Sequence, residues 1–159
     1  MASKVKLKRP TSLANEALSV RFAHDAENYA KAAMVLDGTK FHGVRYHLFC
    51  HAFELILKSF ILGAGAHQSV LFSVGHQLND ALAEAIKLGY KPSHPEFDTF
   101  VDWLHPFHAE HDFRYARGGY QVLPTAEDLL AAFKTAHAEI APLARVAYLK
   151  KQHPPQPAS

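Results

Sequence analysis

Four polar side chains interrupt an otherwise apolar stretch: His47, His51, Glu54 and Lys58. Steps of four, three and four residues stack side chains along one face of an α-helix. Glu54 lies N-terminal to Lys58 at the favourable ion-pair spacing. A carboxylate, an ammonium and two imidazoles on one face can handle protons or substrate. They can equally form a structural polar network or a solvated seam, and both readings stay open. Ions among apolar residues need partners, so this line predicts hydrogen bonds from other helices.

Two further groups are the natural suppliers. His76 follows Gly75 and precedes Asn79, at the expected start of a third helix. The positive end of that helix favours a neutral imidazole, which can accept a proton or donate a hydrogen bond. Its bland role is to anchor the helix start on helix two. Arg114 and Tyr115 follow Phe113, with Arg117 just beyond. Arg114 offers a bidentate donor to Glu54 or to an external phosphate, and Tyr115 offers a hydroxyl. The same residues can simply pin a long connector, and Asp112 permits a local pair.

Metal ligation has two patterns to consider. His47 and His51 have the four-residue spacing of helical metal sites, with Glu54 as a third ligand, but no H-E-x-x-H order is present. His105, His108 and His111 recur every three residues. With 12 histidines in the chain such spacings arise by chance, so no metal and no other cofactor is expected. The His105, His108, His111 patch is the weaker alternative. There is no P-loop, dinucleotide fingerprint or nucleophile elbow. Cys50, the single cysteine, adjoins His51, but neighbouring helical side chains diverge, so no Cys–His dyad forms. A buried small hydrophobe is its natural role.

The elements that must position these groups are helices. Leu18, Phe22, Ala26, Tyr29, Ala33 and Leu36 recur at helical spacing. They predict a first helix capped by Thr11 or Ser12 and stopped at Asp37-Gly38. A second helix runs from about Phe41 to Leu62, with Val44, Leu48, Ala52, Leu55 and Leu62 in one stripe. Phe49, Phe53, Ile56 and Phe60 widen it, as expected for a helix inside a bundle. Ser73 caps a third helix over 74–88, with Leu78, Ala81, Leu82, Ala85 and Ile86 inward. Pro95 opens a short fourth helix carrying Phe97, Phe100, Val101 and Leu104, which Pro106 breaks or kinks. Thr125 with Asp128 resembles a capping box. It starts a long helix from Ala126 to about Lys150, with Leu129, Leu130, Phe133, His137, Ile140, Leu143, Ala147 and Tyr148 inward and a bend at Pro142. The expected fold class is all-α, an antiparallel four- to five-helix bundle. Residues 1–11 read as a flexible basic lead, 12–150 as one domain, and 151–159 as a disordered Pro-rich tail.

Composition agrees. The 159 residues are 48% hydrophobic and 20% charged, typical of one globular domain. The net charge is +2, yet Lys4, Lys6, Lys8 and Arg9 alone contribute four positive charges. The remainder is slightly acidic, and no basic stripe with interleaved aromatics supports a conventional nucleic-acid surface; the basic lead could touch nucleic acid weakly but reads first as a solvated terminus. No long apolar run is present, so no membrane span is expected. The basic start has no apolar segment behind it and is not a secretory signal. A cytoplasmic location is expected. Dimerisation would cover an exposed apolar face.

Three segments carry a family resemblance: YHLFCHAFELILKSFILGAG at 46–65, GHQLNDAL at 75–82 and FRYARGG at 113–119. Together they resemble the HEPN superfamily of small helical bundles, over most of residues 12–150. The resemblance implies a compact domain that often forms a homodimer. It implies either a non-catalytic partner of a minimal nucleotidyltransferase or other protein, a component of a toxin–antitoxin or stress system, or an RNase. RNase members carry an Arg and a His separated by a short spacer, usually on a late helix. Arg45 and His51 have such a spacer here, but on helix two. On that alternative Arg45 would bind RNA phosphate and His51 would move a proton during 2′-hydroxyl attack, metal-independently, at a dimer cleft. The leading expectation is the non-catalytic module with a polar pocket.

Overall fold

The computed structural model describes residues 13–110 and 124–154. Among the described residues six helices follow in order: α1 (Asn15–Val35), α2 (His42–Gly63), α3 (Ser69–Val74), α4 (Leu78–Lys87), α5 (Phe97–Ala109) and α6 (Ala126–Gln152). No strand occurs among the described residues. The domain is therefore all-α.

Helix α2 is the centre, touching α1, α4, α5 and α6. Phe49, Phe53, Ile56, Leu57 and Ile61 have no accessible surface. Each such side chain contributes on the order of 1.5–3 kcal/mol of burial. The central position of α2 explains why its apolar residues occupy so much of its circumference. The expected stripe fails at its start, because Val44 is exposed. It lies in the first turn of α2, before α2 reaches the core.

Helix α1 meets α2 through small residues. Ala23, Ala26, Ala30 and Ala33 are all buried. Ala26 and Ala33 are buried as expected, but the buried face is rotated away from Leu18 and Phe22, which line a surface groove with Leu55 and Leu71. Alanines let the two backbones approach closely, and a reciprocal serine contact marks the crossing. Ser19 Oγ donates to the Ser59 carbonyl at 2.6 Å, and Ser59 Oγ donates to the Ser19 carbonyl at 2.8 Å. Further along, Arg45 Nε donates to the Ala33 carbonyl at 3.0 Å. Partners thus ascend on one helix as they descend on the other, so α1 and α2 are antiparallel. The cap at α1 is Ala14, without a side-chain bond. Thr11 and Ser12 lie outside the described residues.

The third helix, expected over 74–88, is observed as α4 and starts only at Leu78, while α3 (Ser69–Val74) precedes it in a stretch to which the spacing assigns no helix. Gly75, at φ 56° and ψ −128°, separates α3 from α4. That conformation is open to glycine and strained for any residue with a Cβ. Ser73 therefore lies inside α3 rather than capping a helix. Leu78, Ala81, Leu82 and Ala85 are buried as expected, but Ile86 is exposed. The additional α3 raises the number of helices among the described residues above the expected four or five.

Pro95 precedes α5 rather than opening it, and Pro106 lies within α5 without ending it. Proline removes the hydrogen bond to the carbonyl four residues back. Here Pro106 and Asp102 are both exposed, so water can take that bond. Pro142 likewise lies inside α6, and both it and Ala138 are exposed. Helix α6 starts as expected: the Asp128 amide donates to Thr125 Oγ1 at 3.1 Å. It extends two residues past Lys150. Leu143, expected inward, is exposed, and Ala144 is buried instead. No described helix is long and apolar enough to cross a membrane.

Candidate functional site

Glu54 is 4% exposed in the middle of α2. Three elements converge on its carboxylate. Lys58, one turn on, donates from Nζ to Oε1 at 2.6 Å. His76, from the turn before α4, approaches both oxygens at 3.1 Å with Nδ1. His108, near the end of α5, places Nε2 2.6 Å from Oε2. A carboxylate only accepts, so both imidazole nitrogens facing it must carry hydrogens. Glu54 therefore ties together α2, the α3–α4 turn and α5.

Burial by itself would raise the Glu54 pKa. Hydrogen bonds from His108 and Lys58, the Lys58 charge and the His76 bond outweigh it and bring the value down to about 2. The carboxylate is thus an anion held by its donors, not a proton carrier near neutrality. Its charge is matched by Lys58, which is itself buried. Such a pair is strongly coupled to the fold, because removing either partner strands the other in low dielectric.

The histidine line of α2 continues the cluster outward. His51 Nδ1 lies 3.9 Å from Glu54 Oε2. Its other nitrogen, Nε2, lies 3.1 Å from His47 Nε2. The His51 ring stacks on Tyr29 of α1, with centroids 5.2 Å apart, and meets His108 edge-on at 5.2 Å. The four-three-four spacing on α2 thus does place His47, His51, Glu54 and Lys58 on one continuous line. His76 joins it as the spacing argument anticipates. Arg114, Tyr115 and His111 lie outside the described residues.

His108 is the member that sequence reasoning assigned elsewhere, to a patch with His105 and His111. The usable signal was its register. Phe97, Val101, Leu104 and His108 follow one helical face, and all four are buried. Reading Pro106 as a break or a kink leaves that continuity open. His105 stands apart, half-buried, and its Nδ1 has no hydrogen-bond partner among the described residues. The Nδ1 of His108 likewise lacks one. His51, Glu54 and His108 each offer a ligand atom within 4.8 Å of the others, a grouping that could hold a metal ion.

The Arg45–His51 pair is divided by function. Arg45 spends Nε on the last turn of α1 and contacts Met34 Sδ at 3.6 Å. Gly38 accommodates it, since a Cβ there would collide with the guanidinium. Cys50 is fully buried, and burial together with the Glu54 charge pushes its thiol pKa well up. A thiol held protonated is not a nucleophile.

Apolar surface remains outside this cluster. The second halves of α2 and α6 bound a groove lined by Phe60, Gly63, Ala64, Leu143, Val146 and Ala147. Leu143 and Val146 on its α6 side are both about half exposed. The chain matches no family model, and searches of curated proteins and of solved structures return no match.

Proposed function

We propose that the chain is a non-catalytic, HEPN-like helical module that acts by pairing, first with a second copy of itself and through that dimer with a protein partner. The observation that carries this reading is the state of Glu54. Its two oxygens are engaged at once by Lys58, His76 and His108 in a buried setting. The buried carboxylate of the polar line is thereby committed to holding three elements together. The groove between α2 and α6, with Leu143 and Val146 on its α6 side, supplies apolar surface of the kind that a C2 pair covers.

Sedimentation of the full chain across micromolar concentrations tests this reading. A dimer is expected, converting to folded monomer in Leu143→Glu and Val146→Glu. A native chain that sediments as monomer throughout refutes it.

The second reading is a metal-independent endoribonuclease using Arg45 and His51. Partial exposure of the His51 side chain, 26%, favours it. The commitment of Arg45 to the α1 terminus weighs against it. RNA cleavage that disappears in folded His51→Ala would support this reading. RNA left intact by the native chain would reject it.

A further inference from the structure

The ligand atoms around Glu54 Oε2 have a division of labour that a purely structural clasp does not need. Lys58 takes Oε1, and His76 bridges both oxygens from one side. The His51 and His108 nitrogens face Oε2, at 3.9 Å and 2.6 Å. We propose that His51 Nδ1, Glu54 Oε2 and His108 Nε2 bind one divalent ion of the zinc class, clamping α2 to α5.

The donor chemistry selects the class. Two imidazoles and one carboxylate suit a borderline ion such as Zn²⁺ better than Ca²⁺ or Mg²⁺, which prefer all-oxygen sets. Two His and one Glu also form a three-ligand set that leaves a fourth position for water. Zinc bonds of about 2.0–2.2 Å in a tetrahedron place ligand atoms roughly 3.3 Å apart. The observed 2.6 Å and 3.9 Å straddle that value. His108 must retreat by several tenths of an ångström, and His51 must advance by about as much. His51 is only partly buried, which gives it room to adjust and gives the ion a path from solvent.

The surrounding bonds are those that orient metal ligands. A ligating imidazole usually engages its second nitrogen, and a ligating carboxylate its second oxygen. His51 Nε2 meets His47, and Glu54 Oε1 meets Lys58. Binding must displace the hydrogen that His108 Nε2 now directs at Glu54. It moves to Nδ1 or to solvent. On Nδ1 it finds no acceptor among the described residues, which is the main cost of the site. The Lys58 charge is the second cost, since it already balances Glu54. A hydroxide or another anion in the fourth position would offset it.

The site does not depend on how the chain assembles, and its readout is not oligomeric state. The test is a Co²⁺ titration of the untagged, chelator-stripped full chain, followed by visible absorption. One equivalent should produce the intense bands of tetrahedral Co²⁺, and Zn²⁺ should bleach them. His51→Ala should abolish the bands with the helical circular dichroism unchanged. His51→Gln serves the same purpose if the alanine variant fails to fold. His47→Ala should weaken binding by about 10- to 100-fold, as expected for an outer partner. His105→Ala should leave the titration unaltered. Absence of a saturable one-equivalent phase overturns the proposal. So does a titration unchanged in the folded His51 variants, or one lost in His105→Ala but kept in His51→Ala.

Discussion

Replacing Glu54 by Gln preserves the side chain's size and removes its charge, so it isolates what the carboxylate does. The amide oxygen can still accept from Lys58, whose Nζ lies 2.6 Å from Oε1 in the native chain. The ammonium, however, loses its counter-charge at a position only 8% exposed. The amide nitrogen would then face His108 Nε2, 2.6 Å from the carboxylate oxygen it replaces. Two donors would meet unless His108 shifts its hydrogen to Nδ1, which has no acceptor among the described residues. Breaking a buried pair from one side costs about 3–5 kcal/mol. For a chain of this length each kcal/mol lowers Tm by about 2–4 °C, so a fall of roughly 6–20 °C is expected. Urea unfolding and thermal melting, both in chelator, measure it. Glu84→Gln is the internal reference, because Glu84 meets a largely exposed Lys87 at 3.2 Å. Its loss should stay under about 1 kcal/mol. Adding Lys58→Met to Glu54→Gln should recover more than about 1 kcal/mol, since the stranded charge is removed. A Glu54→Gln loss no larger than that of Glu84→Gln would refute the reasoning.

Three other outcomes follow from particular contacts. Ser19→Val adds bulk where α1 and α2 share the reciprocal Ser19–Ser59 bonds and no solvent reaches either serine; a loss of about 1–3 kcal/mol is expected in urea unfolding, and an unchanged midpoint would show that the contact is loose. Tyr90 has its phenol pKa raised by burial and by its bond to Glu139, and Tyr46 is raised by burial and by Glu127 and Asp128 against the lowering effect of Arg45. The neutral phenols are the favoured folded forms, so their contribution is complete below pH 10.0 and is lost as pH rises through the higher folded values. Ultraviolet titration should show a late tyrosinate component that shrinks in Tyr90→Phe; an unchanged profile would contradict the assignment. Zn²⁺ at 100 times its dissociation constant should stabilise the native chain by about 2.7 kcal/mol, a rise of roughly 5–11 °C in Tm, and should leave His51→Ala unmoved.

Much of the architecture is local in origin and therefore legible from residue order. The span of α2, the Thr125 cap of α6 and the placement of His51, Glu54 and Lys58 on one face depend on spacings of three and four residues. Backbone geometry supplies these before any tertiary contact forms. The apolar residues beside Glu54 and Lys58 left open whether the pair is buried or lines a groove, and only the packed bundle buries both. What the packed molecule decided was rotation and partnership. Which face of α1 turns inward depends on how closely α2 approaches; that approach kept Ala26 and Ala33 of the expected stripe but put Ala23 and Ala30 in the core in place of Leu18 and Phe22. The Gly75 conformation, which separates α3 from α4, is a choice between states that glycine visits almost equally. Whether Pro106 ends α5 depends on whether the carbonyl it abandons faces water, and the exposure of Asp102 is a property of the assembled bundle. Because α5 continues past Pro106, His108 reaches Glu54 across 54 positions of sequence. The polar line on α2 was thus written in the spacing of its residues. Its closure by His76 and His108 belongs to the tertiary structure, because an ion removed from water is stabilised only by the donors that the fold brings to it.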